Sequence, residues 1–280
     1  MRWQKYDNEY LLQVDFVAFD TETTGVWAPA NRIVELGAVK FRLGQPGTDR
    51  FSCLVNPERD IPPEVVAIHG ITNGDVQSAE TIKPVLERFA EFCGPDSILI
   101  AHNAPFDISF VGCEADRVGL PLMGNLIMDT VDLFRKFRPG LVSYSLESLM
   151  KDFGLGSVQN HRAADDAALV WRLFELVADD FPRFQTQGEF KRAFTFYNME
   201  QWPGEDRPLP EQYAPIGRAV RESTALEILY SANGQPPHRR VIWPRRIHSL
   251  RSVFYVSAYC EMAEAERTFR LDRIQEFKPA

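Results

Sequence analysis

The chain has 280 residues, of which 45% are hydrophobic and 25% are charged, and these proportions are typical of a soluble globular protein. No apolar run is long enough to span a membrane, and the polar start of the chain lacks the apolar core of a signal peptide. The net charge of −8 favours transient over tight contact with nucleic acid, because phosphate contacts depend on lysine and arginine.

The first predicted element is a buried strand over the apolar run Val14–Phe19, and it ends on two carboxylates. Asp20 and Glu22 are two residues apart, so on a strand both point to the same face. Two neighbouring anions are costly unless a cation lies between them, and a hard divalent ion is the natural partner of such oxygen ligands. The alternative for this triplet alone is an acidic turn. The residues that follow offer hydroxyls and backbone amides near the carboxylates: Thr23, Thr24 and Gly25.

The next stretches predict an antiparallel meander followed by two helices. Strands are predicted over residues 33–41 and 51–55, joined by turns that contain glycine and proline. A short helix is predicted to start within Pro62-Pro63-Glu64 and to end at Gly70, just after His69. The apolar spacing that precedes Phe92 predicts a helix whose start lies nearer residue 82 than 78, because Pro84 interrupts the pattern.

A short buried strand over residues 97–101 is predicted to lead into the stretch HNAPFD. Asn103 is a candidate N-cap and Pro105 suits a first helical turn, so Asp107 falls near the start of a helix that runs to about residue 118. The remaining elements of this half are a strand over 126–128, a helix through 137, a helix over 146–153 capped by Ser145, and a long helix within 161–177.

The predicted domains are a body over residues 1–180, a linker over 181–216 and an accessory domain over 217–280. The linker is predicted from the density of proline, glycine and charge over residues 202–215, and its first part is compatible with a helix. Beyond it, residues 225–230, 240–247, 253–259 and 268–274 predict four short strands of a small β-barrel-like module. Residues 213–280 carry a net charge of +4, whereas the preceding residues carry −12.

Three stretches in the body carry acidic residues in an order that no single structural explanation covers: FDTETTG, HNAPFD and HRAADDA. Taken alone, Asp107 could favour a helix N-terminus, Asp166 could lie on a solvated helix face, and His102 and His161 could be structural. Together the stretches resemble the three motifs of the DEDDh 3′–5′ exonucleases, the family of the proofreading epsilon subunit of bacterial DNA polymerase III. The resemblance covers about residues 14–178 and implies an α/β, ribonuclease H-like fold with a mixed five-stranded sheet flanked by helices.

The resemblance also implies a catalytic set. Asp20, Glu22, Asp107 and Asp166 would hold two divalent cations, Mg²⁺ or Mn²⁺, and His161 would be the general base. The family spacing selects Asp166 over Asp165. His161 and Asp166 are about 140° apart around an ideal helix, so His161 is expected on the loop that leads into the helix. The resemblance further implies substrate contacts from Thr23, Thr24, His69, Asn103 and Phe106.

The tail resembles a WYL domain, a small Sm-like barrel, through the stretches SAYCEMAEAERTFRLDRI and RRVIWPRRI. The namesake triplet is Phe254-Tyr255-Val256 here, which departs from the family pattern. Candidate ligand or phosphate contacts are Tyr255, Arg267, Arg270 and Arg273. On one regular strand Arg267 and Arg273 would share a face, with Arg270 at a barrel rim or in a structural ion pair. The alternative is a structural β-cap.

The predicted function is a metal-dependent 3′–5′ exonuclease that releases nucleoside monophosphates from single-stranded DNA 3′ ends in proofreading, repair or end trimming. One alternative is an exoribonuclease that trims RNA 3′ ends, and another is a nucleic-acid or nucleotide sensor with a vestigial nuclease body. The expected partners are DNA or RNA 3′ ends and a polymerase or repair complex, with no membrane. Four scattered cysteines without a C-x-x-C pair argue against zinc and disulfides and favour a reducing cytoplasm.

Overall fold

The computed structural model describes residues 10–45, 47, 49–156, 161–199, 208–231, 236–250 and 253–280. The chain divides into two compact units, Met1–Glu200 and Gln201–Ala280. The described residues contain no helix that is both long and apolar enough to cross a lipid bilayer.

The first unit is built on a mixed five-stranded sheet in the order β3-β2-β1-β4-β5. The first three strands are antiparallel, whereas β1 and β4 are parallel, as are β4 and β5. This confirms the predicted meander and the mixed sheet. The strands are β1 (Phe16–Thr23), β2 (Ile33–Phe41), β3 (Asp49–Leu54), β4 (Ile98–Ala101) and β5 (Ile127–Asp129).

β1 lies at the centre of this sheet, and its first four residues are fully buried. A strand that is covered on both faces has an unbroken apolar sequence rather than an alternating one, which explains the run at residues 16–19. Phe16 packs 5.0 Å, centroid to centroid, from Phe174 of a long helix on one side, and Phe19 packs 5.7 Å from Phe89 on the other. The acidic end of β1 therefore projects from a rigid core.

Eight helices of the first unit are described, and four of them begin at a residue whose side chain caps the helix. Ser145 accepts from the backbone N–H of Ser148, and Gly70 ends its helix in the left-handed conformation at φ 74°. The prediction of Asn103 as an N-cap is wrong, because Ala104 occupies that position and Asn103 itself adopts a positive φ. The helices are α1 (Pro63–His69), α2 (Asn73–Val76), α3 (Ile82–Cys93), α4 (Pro105–Arg117), α5 (Thr130–Phe137), α6 (Leu146–Asp152), α7 (Ala163–Ala178) and α8 (Gln187–Ala193).

The segment after α7 belongs to the first unit, although the predicted linker begins at residue 181. Phe184 and Phe190 are buried in the same core as Phe16, and their rings lie 5.3 Å apart. Tyr197 pairs with Ile127 and so extends the sheet beyond β5. Aromatic burial and this pairing hold residues 181–199 against the body, and residues 200–207 of the predicted linker lie outside the described residues.

The second unit is a five-stranded antiparallel sheet in the order β10-β6-β7-β8-β9 with one helix. Ile216 and Ala219 of this helix join a separate core with sheet residues. The predicted domain start at 217 therefore falls inside the helix. The elements are α9 (Ala214–Glu222), β6 (Leu226–Tyr230), β7 (His238–Leu250), β8 (Val253–Cys260), β9 (Ala265–Arg270) and β10 (Ile274–Pro279).

The prediction of one strand over residues 268–274 is wrong, because a 3₁₀ turn at Leu271–Arg273 separates β9 from β10. Leu271 is fully buried in the core at this turn. Arg270 donates two hydrogen bonds to the carboxylate of Asp272, at 3.0 and 2.6 Å, and this pair stabilises the change of direction. The described part of the tail consequently has five strands where the sequence predicts four.

Candidate active site

The site is centred on the end of β1, where two acidic side chains leave the core on the same face of the strand. Asp20 and Glu22 are half-buried, and Asp166 of α7 is buried. Each offers a carboxylate oxygen, and the three oxygens lie within 4.8 Å of one another. An oxygen cluster of this size is suited to a hard divalent cation.

Asp166 reaches this cluster because the first turn of α7 lies directly on β2. At the contact is Gly37, the ladder partner of Asp20, and a Cβ atom at this position would be 2.2 Å from the backbone of Ala163 and Ala164. Asp165 is exposed, whereas Asp166 is 2% exposed and faces the sheet. The helix geometry therefore brings Asp166, and not its neighbour, to the carboxylates of β1.

Asp107 is held next to the cluster by Thr21, whose side chain lies on the face of β1 opposite to Asp20 and Glu22. It lies in the first turn of α4, is 2% exposed, and accepts a hydrogen bond of 2.7 Å from the Thr21 hydroxyl. Burial raises the pKa of Asp107 to about 7, against the opposing effect of the Thr21 hydrogen bond. Thr21 therefore supports the acidic site, a role that strand alternation alone did not indicate.

Burial and mutual repulsion favour the protonated, uncharged form of the carboxyl groups in this cluster. Burial, followed by the charges of Asp166, Glu35 and Asp107, raises the pKa of Glu22 to about 8. Burial and the charges of Asp107 and Glu22 raise the pKa of Asp20 well above its ordinary value. These carboxyl groups are costly to ionise unless a cation lies beside them. The residues present therefore suit a divalent metal.

His161 lies two residues before α7 begins, on the connecting loop, and Asp166 lies inside the first turns. This confirms the placement predicted from their spacing. His161 is half-buried and adopts a left-handed backbone at φ 48°, which is uncommon for a residue other than glycine. Such a conformation persists when the surrounding structure imposes it.

Glu35 is a member of the site that sequence reasoning missed. It lies on β2 opposite Glu22 and is 1% exposed. Its carboxylate accepts hydrogen bonds from the Arg162 guanidinium at 2.7 and 3.0 Å and from the backbone N–H of Ala163 at 2.9 Å. A glutamate inside the apolar strand IVELGAVKF could have indicated it, because a buried carboxylate requires a partner.

The two threonines predicted to contact the terminal nucleotide shape the turn after β1. The Thr23 hydroxyl donates to the carbonyl of Gly25 at 2.8 Å, and the Thr24 hydroxyl accepts from the backbone of Arg32 at 3.0 Å. His69 is buried nearby, and its Nδ1 accepts from the backbone N–H of Ile71 at 3.0 Å. Burial lowers the pKa of His69, which favours its neutral form. Their contact with substrate stays a prediction.

A cleft of about 580 Å³ opens beside Asp20 and provides room for a nucleotide. Asn103 is exposed on its wall at φ 61°, and its backbone N–H donates to Asp129 at 2.9 Å. Phe106 is half-buried and packs 4.9 Å from Phe110, centroid to centroid. Phe106 is not among the residues that line the cleft, which besides Asp20 and Asn103 include His102, Arg135, Ser143, Tyr144 and Ser145.

His102 links this wall to α5. Its Nδ1 lies 2.8 Å from the Thr130 hydroxyl, and burial lowers its pKa to about 4. The imidazole is therefore neutral at physiological pH and holds the wall without adding charge to it.

In the second unit, the predicted arginines do not share one strand. Arg267 lies on β9, whereas Arg273 ends the 3₁₀ turn, so strand alternation does not relate them. This corrects the prediction of a same-face pair. Arg270 lies opposite Tyr255 across the ladder and is paired with Asp272 at 2.6 Å.

Comparisons with known proteins agree with this geometry. Residues 17–174 match the family model RNase_T, described as exonuclease, and residues 211–279 match the WYL domain. The PolC-type DNA polymerase III of Halalkalibacterium halodurans is 37% identical over 167 residues, which are 58% of this chain and 12% of that protein. The PolC-type enzyme of Clostridium perfringens is 39% identical over 164 residues, 59% of this chain and 11% of that protein. The chain thus spans about one eighth of the length of these relatives.

A solved structure supports the fold of the first unit. The nuclease domain of 3′hExo, described as a DEDDh family member bound to rAMP, superposes with a TM-score of 0.54 over 62% of this chain and 94% of that one. The sequences are 17% identical, so the likeness is one of fold.

Proposed function

Because the chain belongs to the exonuclease family whose model matches residues 17–174, we propose that it is a metal-dependent 3′–5′ exonuclease acting on single-stranded DNA ends. The observation that carries the proposal is the convergence of carboxylate oxygens from Asp20, Glu22 and Asp166 within 4.8 Å, beside a cleft of nucleotide size. The products would be nucleoside monophosphates released one at a time.

The metal-binding part of the proposal rests on the donor set. Asp20, Glu22, Asp107 and Asp166 would hold two divalent cations, Mg²⁺ or Mn²⁺, because hard cations prefer carboxylate oxygens. When bound, such cations act as Lewis acids that stabilise the attacking and leaving oxygens of a phosphodiester displacement. The raised pKa of Glu22, about 8, supports this assignment, since a cation would offset the repulsion that raises it.

The protein's own groups would supply the proton transfer and the orientation. His161 is the proposed general base, which takes the proton from the water that attacks the last phosphodiester. It lies on the loop before α7, five residues ahead of Asp166 in the sequence. Asn103, which lines the cleft, is a proposed contact of the terminal nucleotide. Further proposed contacts are Phe106, His69, Thr23 and Thr24.

The accessory domain is proposed to contribute binding rather than chemistry. Its candidate contacts are Tyr255 and Arg267, with Arg273, while Arg270 is engaged with Asp272. The names of the relatives, PolC-type DNA polymerase III, support a polymerase as the proposed partner of the exonuclease unit, with a repair complex as the alternative. Both assignments are part of the proposal.

The test is a degradation assay of the full chain on matched single-stranded DNA, duplex DNA and RNA, each labelled at the 5′ end and, separately, at the 3′ nucleotide. With Mg²⁺ or Mn²⁺, we expect stepwise shortening of the 5′-labelled DNA and immediate release of a labelled monophosphate from the 3′-labelled DNA. Asp20→Ala and Asp166→Ala should abolish both signals. Faster digestion of RNA would replace the DNA assignment with RNA trimming. Tight binding of an oligonucleotide or nucleotide without any cleavage would overturn the proposal in favour of a sensor.

A further inference from the structure

α7 carries Asp166, and its N-cap residue does not cap it with its side chain. Arg162 occupies the N-cap position and its side chain makes no capping hydrogen bond. The first N–H of the helix, that of Ala163, is instead accepted by Glu35 at 2.9 Å from the neighbouring strand β2. A negative charge at this end of the helix is also favoured by the helix dipole. The cap of α7 is therefore supplied by the sheet.

The same carboxylate holds the residue next to His161. The Arg162 guanidinium binds both oxygens of Glu35, with contacts of 2.7 Å from Nη2 to Oε1 and 3.0 Å from Nε to Oε2. Two parallel charge-assisted bonds restrict orientation as well as distance. The backbone of His161 is in the left-handed region at φ 48°, so the loop requires such an external constraint.

Glu35 does not act as another ligand of the acidic cluster, although it lies opposite Glu22 in the ladder. Its Oε1 accepts from Arg162 Nη2 and its Oε2 accepts from both Arg162 Nε and Ala163 N. The carboxylate is thus committed to the arginine and the helix end. Its charge is paired with that of Arg162 at 2.7 Å.

We propose that Glu35 and Arg162 are positioning residues that hold His161 and Asp166 in register with the acidic end of β1. Since Glu35 pairs with Glu22 and Gly37 pairs with Asp20, the anchor of α7 and the carboxylates of β1 share one hydrogen-bonded ladder. Any movement of α7 along β2 changes the distance from the carboxylates of β1 to Asp166 and to His161 on the preceding loop. This inference rests on the proposed nuclease function, and it adds two residues that touch neither metal nor substrate.

The experiment compares the full-length wild type with Arg162→Lys and Glu35→Gln. Arg162→Lys keeps the charge but loses the two-pronged contact, and its side chain is 47% exposed, so the variant should fold. A matched control is Arg88→Lys, because Arg88 forms the same two-pronged pair with Glu80 on the surface, at 3.0 and 2.6 Å. The measurements are kcat and KM on the oligonucleotide, Mn²⁺ affinity by calorimetry, and amide hydrogen exchange of the peptide that contains residues 161–167 in metal-free protein.

We expect kcat of Arg162→Lys to fall about ten- to a hundredfold, because displacements near 1 Å have effects of this size. KM should stay within about twofold, Mn²⁺ affinity should fall much less than kcat because Asp166 is one of four proposed ligands, exchange of the 161–167 peptide should accelerate, and Arg88→Lys should match the wild type in all four measurements. Glu35→Gln should change in the same direction if it folds. Wild-type kcat in Arg162→Lys would overturn the inference, and so would a kcat loss that is matched by an equal loss of Mn²⁺ affinity.

A failure of the proposed function is distinguishable from a failure of this inference. A wild type that degrades no substrate would refute the proposed nuclease, whereas an active wild type with an equally active Arg162→Lys would refute only the positioning role. Should the wild type prove inactive, unchanged exchange of the 161–167 peptide in Arg162→Lys would still refute the anchor, and faster exchange would support it.

Discussion

Glu22→Gln should stabilise the metal-free protein at alkaline pH. In the folded protein, burial and then the charges of Asp166 and Glu35 raise the pKa of Glu22 from its ordinary value of 4.5 to about 8. The folded state thus holds this proton more tightly than the unfolded state. Its contribution to stability is fully present below pH 4.5 and is lost as the pH rises to about 8.

The size of the effect follows from that shift. Each pKa unit corresponds to about 1.36 kcal/mol, so a shift from 4.5 to about 8 sets a ceiling of roughly 5 kcal/mol at pH 8 and above. Glu22 is half-buried and its neighbours can take up protons in its place, so we expect glutamine to recover about half of this, roughly 2 kcal/mol. For a unit of this size, that gain corresponds to a Tm increase of about 4–8 °C.

The assay is thermal unfolding in EDTA at pH 5 and at pH 8.5, with Glu91→Gln as the control because Glu91 is exposed on α3. Glu22→Gln should melt above the wild type at pH 8.5 and close to it at pH 5, while the control follows the wild type at both. Added Mn²⁺ should reverse the order, because a ligand that binds the folded wild type stabilises it by mass action. An equal gain at both pH values, or no gain at pH 8.5, would refute the reasoning about repulsion in the cluster.

Two further outcomes test the roles given to the loop histidine and the tail. His161→Ala should reduce kcat strongly, by about a hundredfold or more. Mn²⁺ affinity should stay near that of the wild type, since a general base is not a metal ligand. Calorimetry that finds no Mn²⁺ binding in this variant would contradict that role. A chain ending at residue 200, the boundary between the two units, should keep its turnover on short oligonucleotides. It should bind a long single strand more weakly and with a shallower dependence on salt, because phosphate contacts are lost; identical slopes for the two chains would mean that the tail does not touch the strand.

The central elements of the fold were predictable because their signals are local. β2 has the predicted bounds, since an apolar strand covered on both faces is a continuous run that ends at polar turns. The starts of α1 and α3 follow from the position of proline and from apolar spacing. The carboxylates of β1 share a face because strand side chains alternate. Each of these inferences depends only on residues close together in the chain.

The errors arose where distant parts of the chain meet. Residues 181–199 are predicted as the first part of the linker, because the proline, glycine and charge that follow them are typical of a connector, yet Phe184 and Phe190 are buried in the first core. The strand predicted over 268–274 is broken because Leu271 turns inward and Arg270 pairs with Asp272. Asn103 was expected to cap α4, but its backbone N–H is bonded to Asp129, 26 residues away, which fixes a different conformation.

Gly37 is another residue whose role depends on a distant part of the chain. Its substitution is the sharpest test of what positions α7. In the sequence it is a glycine inside a strand, which ordinarily weakens the strand. In the structure a Cβ atom there would lie 2.2 Å from backbone atoms of Ala163 and Ala164, so α7 would have to move by about 1 Å to reach an ordinary contact. Gly37→Ala should therefore lower stability by about 1–3 kcal/mol, as overpacking does, and carry Asp166 away from Asp20.

The expected consequence for activity is a loss of kcat that exceeds the loss of folded protein, about a hundredfold for a displacement of this size. The control is Gly124→Ala, because Gly124 is exposed and a Cβ atom there would meet nothing within 4 Å. Thermal unfolding and kcat are measured on both variants at a temperature where each is fully folded. If Gly37→Ala is folded and as active as Gly124→Ala, then close contact between α7 and β2 is not what sets the position of Asp166, and the ladder shared by Asp20, Glu22, Glu35 and Gly37 loses its functional meaning.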